Sequence, residues 1–211
     1  YSLFKTRKYL KASAQAIEEY FPQDEFTLPE DADIRADGAS FKSSDNYSIW
    51  KYLGINRDDI RAENESWAHF IVYRYADILL MKAEALAQLD RGQEALDIIS
   101  IIRERAQASK SSGQLGGATD RNSVTDFILA ERAREFAYEG KRWFDLLRNA
   151  RRNDYERKQI LIDMVLKSAP ADKQLTIKSK IEDTLSHYLP IYLYELDANP
   201  ALVQNQFYEN N

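Results

Sequence analysis

Cysteine is absent from the 211-residue chain, which excludes disulfides, thiol nucleophiles and thiolate metal sites together. Histidine is nearly absent: His69 and His187 stand far apart, in neither a His-x-x-x-His nor a His-Glu-x-x-His spacing, so no histidine-based metal site is expected. No apolar run is long enough to cross a bilayer as a helix. A basic excess is also missing. Against 29 Lys and Arg stand 34 Asp and Glu, and the net charge of −5 argues against nucleic acid as the main partner. The acidic pairs Asp31/Asp33 and Asp58/Asp59 lack the alternation and terminal Glu of a calcium loop. Gly113 to Gly117 is followed by no Gly-Lys-Ser/Thr and reads as a linker, not a phosphate loop. No metal and no cofactor is therefore expected.

What is present is an ordinary globular composition, 44% apolar and 30% charged, at a length that suits one domain over 1–211. Leu79, Ala83 and Leu86, then Ala95, Ile99 and Ile102 after a turn at Asp90-Arg91-Gly92, recur at helical spacing. Two amphipathic helices with facing stripes make an antiparallel hairpin. Ala83 and Ala95 are placed as the small residues of a tetratricopeptide-like unit, beside the larger Leu86 and Ile99. One such unit cannot bury both its faces. A second stripe, Leu129, Ala133, Phe136, Ala137, Gly140, Phe144 and Leu147, supplies further apolar surface, and Gly140 within it predicts a local break or close crossing. The fold class expected is mainly α: a tetratricopeptide-like helical hairpin packed against further helices, with long irregular loops. Segments 71–89, 93–107 and 124–148 are predicted to pack together.

Elsewhere the pattern is weaker. A helix closes at Phe21 before Pro22, residues 23–46 read as irregular, and a short strand is expected at 49–53. Residues 107–122 form a flexible connection, after which Ser123, with Asp126, is the expected N-cap. Ile160 to Leu166 predicts a helix ending before Pro170. Leu193 to Ala198 predicts a short one stopped by Pro200.

Three blocks resemble the C-terminal part of the SusD/RagB family of outer-membrane glycan-binding lipoproteins. They are Arg74-Tyr-Ala-Asp-Ile-Leu-Leu-Met-Lys-Ala-Glu-Ala with Ile102-Arg-Glu-Arg; Glu131-Arg-x-x-Glu-Phe-x-x-Glu-Gly-x-Arg-Trp-Phe-Asp-Leu-x-Arg148; and Leu189-Pro-Ile with Asn199-Pro and Gln204-Asn205. Asp33-Ile-Arg35 and Lys51-Tyr52 add weaker matches. The family's Pro-Ile-Pro is Pro190-Ile191-Tyr192 in this chain, and its Gln-Asn-Pro-Gly-Tyr ending is Gln204-Asn205-Gln206-Phe207-Tyr208. The resemblance implies a non-enzymatic protein that binds an oligosaccharide or polysaccharide on the extracellular face of the outer membrane, for import with a SusC-like TonB-dependent transporter. It also implies a longer protein whose N-terminal repeats, signal peptide and lipidation Cys lie upstream, with membrane attachment only through that lipid anchor. A tetratricopeptide-type protein-interaction module and, less favoured, a glycoside hydrolase are the alternatives.

Chemistry-bearing residues fall into two groups. Glu131, Glu135 and Glu139 share one helical face and repel unless neutralised. Arg134 to Glu131, Arg132 to Glu135, Arg142 to Glu139 and Arg148 to Asp145 are helical partners, and Arg74 or Arg103 can add bonds from the hairpin. A glycosidase acid/base pair would need two of these carboxylates roughly 5 to 10 Å apart across a cleft. A structural ion-pair lattice is favoured, because a cation within reach holds each acid ionised and unable to donate a proton. The second group is aromatic. Sugar rings stack on exposed Trp and Tyr, so Tyr47, Trp50 and Trp67, with Asn46 and Asn64 as hydroxyl partners, are the glycan-site candidates. Core packing, or for Trp67 a staple on the following helix, is the competing role of each. The basic run Arg148, Arg151, Arg152, Arg157 and Lys158 either meets anionic headgroups or ends a helix facing water.

Overall fold

A computed structural model describes residues 17, 19–21, 33–43, 46–49, 51–52, 69–108 and 117–209. The chain divides into two compact units, Tyr1–Arg142 and Trp143–Asn211. In the first, α1 (Ile34–Ala39) leads into β1 (Ser40–Ser43), which pairs antiparallel with β2 (Asn46–Ile49) in the register Ser40 with Ile49 and Ser43 with Asn46. The stretch expected to be irregular thus holds a helix and a strand, and β2 ends at Ile49, where the expected strand was to begin, with Lys51 and Tyr52 in a turn. Four-residue strands hold only two residues per face, too few for alternation to stand out among Ser, Lys and Asn.

The hairpin follows as α2 (Tyr75–Gln88) and α3 (Gly92–Arg105). Asp77 opens α2 by accepting the Arg74 backbone N–H at 3.1 Å, satisfying one of the donors just outside the helix. Asp90, at φ +58, closes it: Asp90 N donates to Ala87 O and Arg91 N to Leu86 O. That is the six-to-one and five-to-two closure of a left-handed helix end. Gln107, at φ +54, ends α3 the same way, with Gln107 N on Glu104 O and Ala108 N on Arg103 O. Leu80, Ala83, Ala87, Ala95 and Ile99 face inward and are essentially inaccessible. They form one core with Val124 and Ile128 of α4 (Arg121–Glu135), so the three helices pack mutually as the shared period predicts.

Two details differ from expectation. Asp120, not Ser123, caps α4, its carboxylate accepting the Ser123 backbone N–H at 3.0 Å, so the helix starts three residues earlier. The stripe over 124–148 is two helices, α4 and α5 (Arg142–Ala150), separated by a turn in which Tyr138 and Gly140 take φ +65 and +71. A Cβ at Gly140 would sit 3.6 Å from Phe70, an ordinary contact, so backbone conformation explains the glycine.

Within the second unit α5 leads to a turn at 153–155, where Asn153, Asp154 and Tyr155 are all left-handed. Helices α6 (Gln159–Ser168) and α7 (Gln174–Glu182) pack on each other. A 3₁₀ turn (Thr184–His187), α8 (Leu193–Ala198) and α9 (Gln206–Glu209) complete it. The expected helices before Pro170 and Pro200 both form. Among the described residues no helix is long and apolar enough to cross a membrane.

Gly92 carries a constraint of space. A Cβ there would lie 2.1 Å from the Thr119 carbonyl oxygen, a backbone atom that a side-chain rotation cannot move. Gly92→Ala is expected to destabilise the first unit by about 1 to 3 kcal/mol, read as a lower midpoint in urea unfolding. An unchanged midpoint would mean that the Thr119 segment yields freely.

Candidate functional site

The longest sequence block centres on the last turns of α4, where Glu131, Glu135 and, in the following turn, Glu139 are at most 2% exposed. Helical spacing puts the first two on one face. An isolated buried carboxylate costs several kcal/mol, so the cations around them decide whether this arrangement stands. They arrive from five segments. From α1, Arg35 bonds Glu131 at 2.7 Å and Glu135 at 3.1 Å, its guanidinium also held by Asp33 at 2.6 Å. Arg74, just before α2, bonds Glu135 and lies 3.0 Å from Glu139. Arg103 reaches Glu131 at 3.1 Å and Arg105 reaches Glu135 at 2.5 Å, both from α3. Lys51 meets Glu139 at 2.5 Å, and Lys141 bridges Glu139 at 3.1 Å and Asp77 at 2.5 Å.

The same cations close the C-terminus of α4. Lys51 donates to the carbonyls of Glu135 (2.9 Å) and Ala137 (3.2 Å), Arg74 to Glu135 O (2.6 Å), and the Tyr52 hydroxyl to Tyr138 O (3.3 Å). Positive charge belongs at that end of the helix dipole. Burial pushes the Glu135 carboxyl upward, but the Arg74 hydrogen bond and the charges of Arg74, Arg105 and Arg35 outweigh it and hold the group at about 2. Glu139 is likewise depressed, burial being overcome by bonds from Arg74 and Lys51. Both stay ionised at neutral pH and cannot serve as general acids.

Of the helical partners expected, Arg134 bonds Glu131 at 3.0 Å and Arg148 bonds Asp145 at 3.2 Å. Arg142 does not take Glu139. It donates to Leu129 O at 2.7 Å and to the Tyr20 hydroxyl at 2.5 Å, because the reversal at Tyr138 and Gly140 breaks the helical register between 139 and 142. Arg132 reaches toward Asp77 at 3.9 Å and lies over the Phe136 ring. Arg35, Lys51, Arg105 and Lys141 carry much of the neutralisation, yet local spacing gives no sign of them. The weak Asp33-Ile-Arg35 and Lys51-Tyr52 matches were the available signal.

The glycan candidates are placed only in part. Asn46 and Tyr47 lie on β2, opposite Ser43 and Lys42 of β1; Trp50, Asn64 and Trp67 fall outside the described residues. Several members of the basic run have partners within the second unit. Arg152 donates to Asn149, Lys158 to the Glu182 carbonyl at 3.1 Å, and Arg151 lies over the Tyr188 ring. His187 Nε2 donates to Ile181 O at 2.8 Å, with the Trp143 ring edge-on to it. Gln204 clamps Ile191 through both backbone groups at 2.9 Å, which explains that block's role at the C-terminus. Among the described residues no cluster of three His, Asp or Glu could hold a metal.

Two outcomes follow from the lattice. Because the folded-state pKa of Glu135 lies below the ordinary value of about 4.3, the unfolded chain binds more protons in acid. The stabilisation is complete above about pH 5 and lost as pH falls toward 2. Thermal melts of Glu135→Gln should show a lower midpoint at pH 7 and a flatter decline below pH 5 than the parent; a parallel decline would remove Glu135 as the titrating group. Second, Arg74→Ala removes charge-assisted bonds to two buried carboxylates, which keep Arg35 and Arg105 on Glu135 and Lys51 and Lys141 on Glu139. It should cost about 3 kcal/mol or more, at about 1.5 to 3 kcal/mol for each such bond. Arg142→Ala strands only a carbonyl and a hydroxyl and should cost about 1 to 3 kcal/mol. Denaturant unfolding of the two variants checks the order.

Comparison with known proteins agrees with this geometry. SusD-like protein P38 of Formosa agariphila is 44% identical over 84 residues, covering 38% of this chain and 17% of its own length. SusD-like protein P25 of the same organism is 32% identical over 142 residues, 66% of this chain and 24% of that protein. The chain therefore spans a quarter or less of these relatives. A SusD superfamily crystal structure from Bacteroides vulgatus superposes with a TM-score of 0.66 over 93% of this chain and 44% of that one, at 22% identity. Another from Bacteroides fragilis gives 0.60 over 91% and 39%, at 21%. Both share the fold. Since the SusD family profile matches residues 3–208, across the ion-pair lattice and the C-terminal clamp alike, the chain belongs to the SusD family.

Proposed function

We propose that this chain is part of a non-enzymatic glycan-binding protein at the outer face of the outer membrane. It would be lipid-anchored through a segment upstream and would pass an oligosaccharide to a SusC-like TonB-dependent transporter. Family membership supports the glycan-binding role. The observation that carries the non-enzymatic part is the state of the carboxylates: Glu131, Glu135 and Glu139 are buried and bonded to Arg and Lys, whereas glycoside hydrolysis needs one carboxyl able to give up a proton beside a cleft.

A second reading, a tetratricopeptide-type interaction module, draws support from α2. Its outer face leaves Tyr75, Ile78 and Met81 exposed at 74%, 55% and 40%. Large apolar residues in a row on one helix suit a protein partner.

The glycan reading rests on Tyr47, Trp50 and Trp67 as stacking surfaces and on Asn46 and Asn64 as hydroxyl partners. Glycan-array binding by the longer mature protein, compared with Tyr47→Ala, Trp50→Ala and Trp67→Ala variants, tests it. Weakened binding of at least one variant, with no reducing ends released by the parent, is the expected outcome. Three variants that bind like the parent would remove these aromatics from the site. Capture of a peptide without any glycan binding would favour the interaction module.

A further inference from the structure

The second unit contains a cleft of about 760 Å³, lined by Thr176, Ser179, Lys180 and Asp183 of α7 and its end, facing Leu185 and Phe207. That volume falls within the usual range for small-ligand sites. Positions 176, 179, 180 and 183 recur at helical spacing, so one face of α7 forms a wall. That wall is polar and solvent-exposed. Other polar groups on these helices are engaged: Ser168 bonds Met164 O and Val165 O, and Lys178 pairs with Glu182 at 3.8 Å. The hydroxyls of Thr176 and Ser179 and the ammonium of Lys180 make no side-chain bond with the described residues, and all three line the cleft. Asp183 spends one oxygen on the Leu185 backbone N–H at 2.9 Å, leaving the other to accept.

The opposite side sets Leu185 and Phe207 beside the polar Gln206, and it is anchored. Phe207 packs edge-on against Tyr208 at 5.0 Å between ring centres. Asn205 donates to Leu185 O at 2.8 Å and the Tyr208 hydroxyl to Tyr188 O at 3.2 Å, fixing the C-terminal segment to the 3₁₀ turn. The two parts of this side are thus tied together before any ligand arrives, and the Leu185 backbone N–H on Asp183 joins the turn to the end of α7, which reduces the ordering cost of binding.

We infer that this cleft is a saccharide subsite that takes a neutral pyranose unit, its C–H face on Phe207 and Leu185 and neighbouring hydroxyls bridging Lys180 and Asp183. A donor and an acceptor side by side match a vicinal diol, and an aromatic wall matches the ring face. Asp183 disfavours phosphate or a carboxylated sugar, which a single lysine would otherwise attract. The inference rests on the glycan-binding reading above and adds a second contact point, remote in sequence from Tyr47 and Trp67.

Amide chemical shifts of the 211-residue chain, titrated with neutral trisaccharides of glucose, mannose, galactose or xylose, test both together. Saturable shifts at 176–183 and Phe207 are expected with at least one of these probes. They should persist in Trp67→Ala, weaken about tenfold in Lys180→Ala and vanish in Ser179→Trp, which fills the cleft. The unperturbed amides of each variant report that it folds. Shifts confined to 46–52 and the segment preceding α2 would overturn the cleft while keeping the glycan reading. Shifts nowhere, with every probe, would overturn the cleft and deprive this chain of glycan binding.

Discussion

Burying three glutamates within three turns is the constraint from which the first unit takes its form. Each carboxylate must meet positive charge without water, and α4 itself supplies Arg134 to Glu131. The rest is drawn in from Arg35, Lys51, Arg74, Arg103, Arg105 and Lys141, so α1, the segment after β2, both hairpin helices and the turn before α5 are tied to one point. The apolar core of Leu80, Ile99, Val124 and Ile128 could be satisfied by other arrangements of three helices. The charges could not, because a shift of one helical turn would leave a guanidinium or a carboxylate unpaired at low dielectric. Hydrophobic burial thus favours a bundle, and the lattice selects its register.

The same argument bears on chemistry. Carboxylates at this spacing are what a hydrolase would carry, and in isolation burial would raise their pKa toward a useful general acid. Here the opposing bonds prevail, and Glu135 is held near 2. Its distance from a donor's role is set by the number of cations, not by exposure. Arg105 is 59% exposed at its side chain, yet its partner is 1% exposed, so the network is closed on its inner side and hydrated at its rim.

How much of this was legible in the amino-acid order depends on the range of each interaction. Helical period placed α2, α3 and α4 and the core alanines Ala83 and Ala95, because that signal repeats within four residues. Arg134 to Glu131 and Arg148 to Asp145 were legible for the same reason. Arg35 lies 96 residues from Glu131, and nothing in local spacing predicts that meeting. Arg142 misled because its pairing with Glu139 presumed a helix that Tyr138 and Gly140 reverse. Gly92 was readable as a turn residue, but its closeness to Thr119 depends on how the 117–120 segment returns to the hairpin. The glycan-site candidates stand apart: Asn46 and Tyr47 fall on a strand pair, and Trp50, Asn64 and Trp67 lie outside the described residues.

The two units solve polar burial in different ways, and the difference bears on where ligands can be met. Around α4 the side chains satisfy one another by charge, which leaves few groups available to a ligand. In the second unit the C-terminal segment is held mainly by neutral bonds from Gln204, Asn205 and Tyr208 to backbone groups of 185–191. The clamping Gln204, Asn205 and Tyr208 are the positions this chain keeps of the family's usual ending, while Tyr192, Gln206 and Phe207 stand where that ending has turn prolines and a glycine. A proline at 206 would retain the Gln204 and Asn205 clamps, since neither uses the backbone N–H of that residue, so rigidity at this end need not come from the ring. Position 207 thus holds a half-buried aromatic side chain, packed on Tyr208, where the family's ending has a glycine, and it lines the same cleft as Thr176, Ser179 and Lys180 of α7.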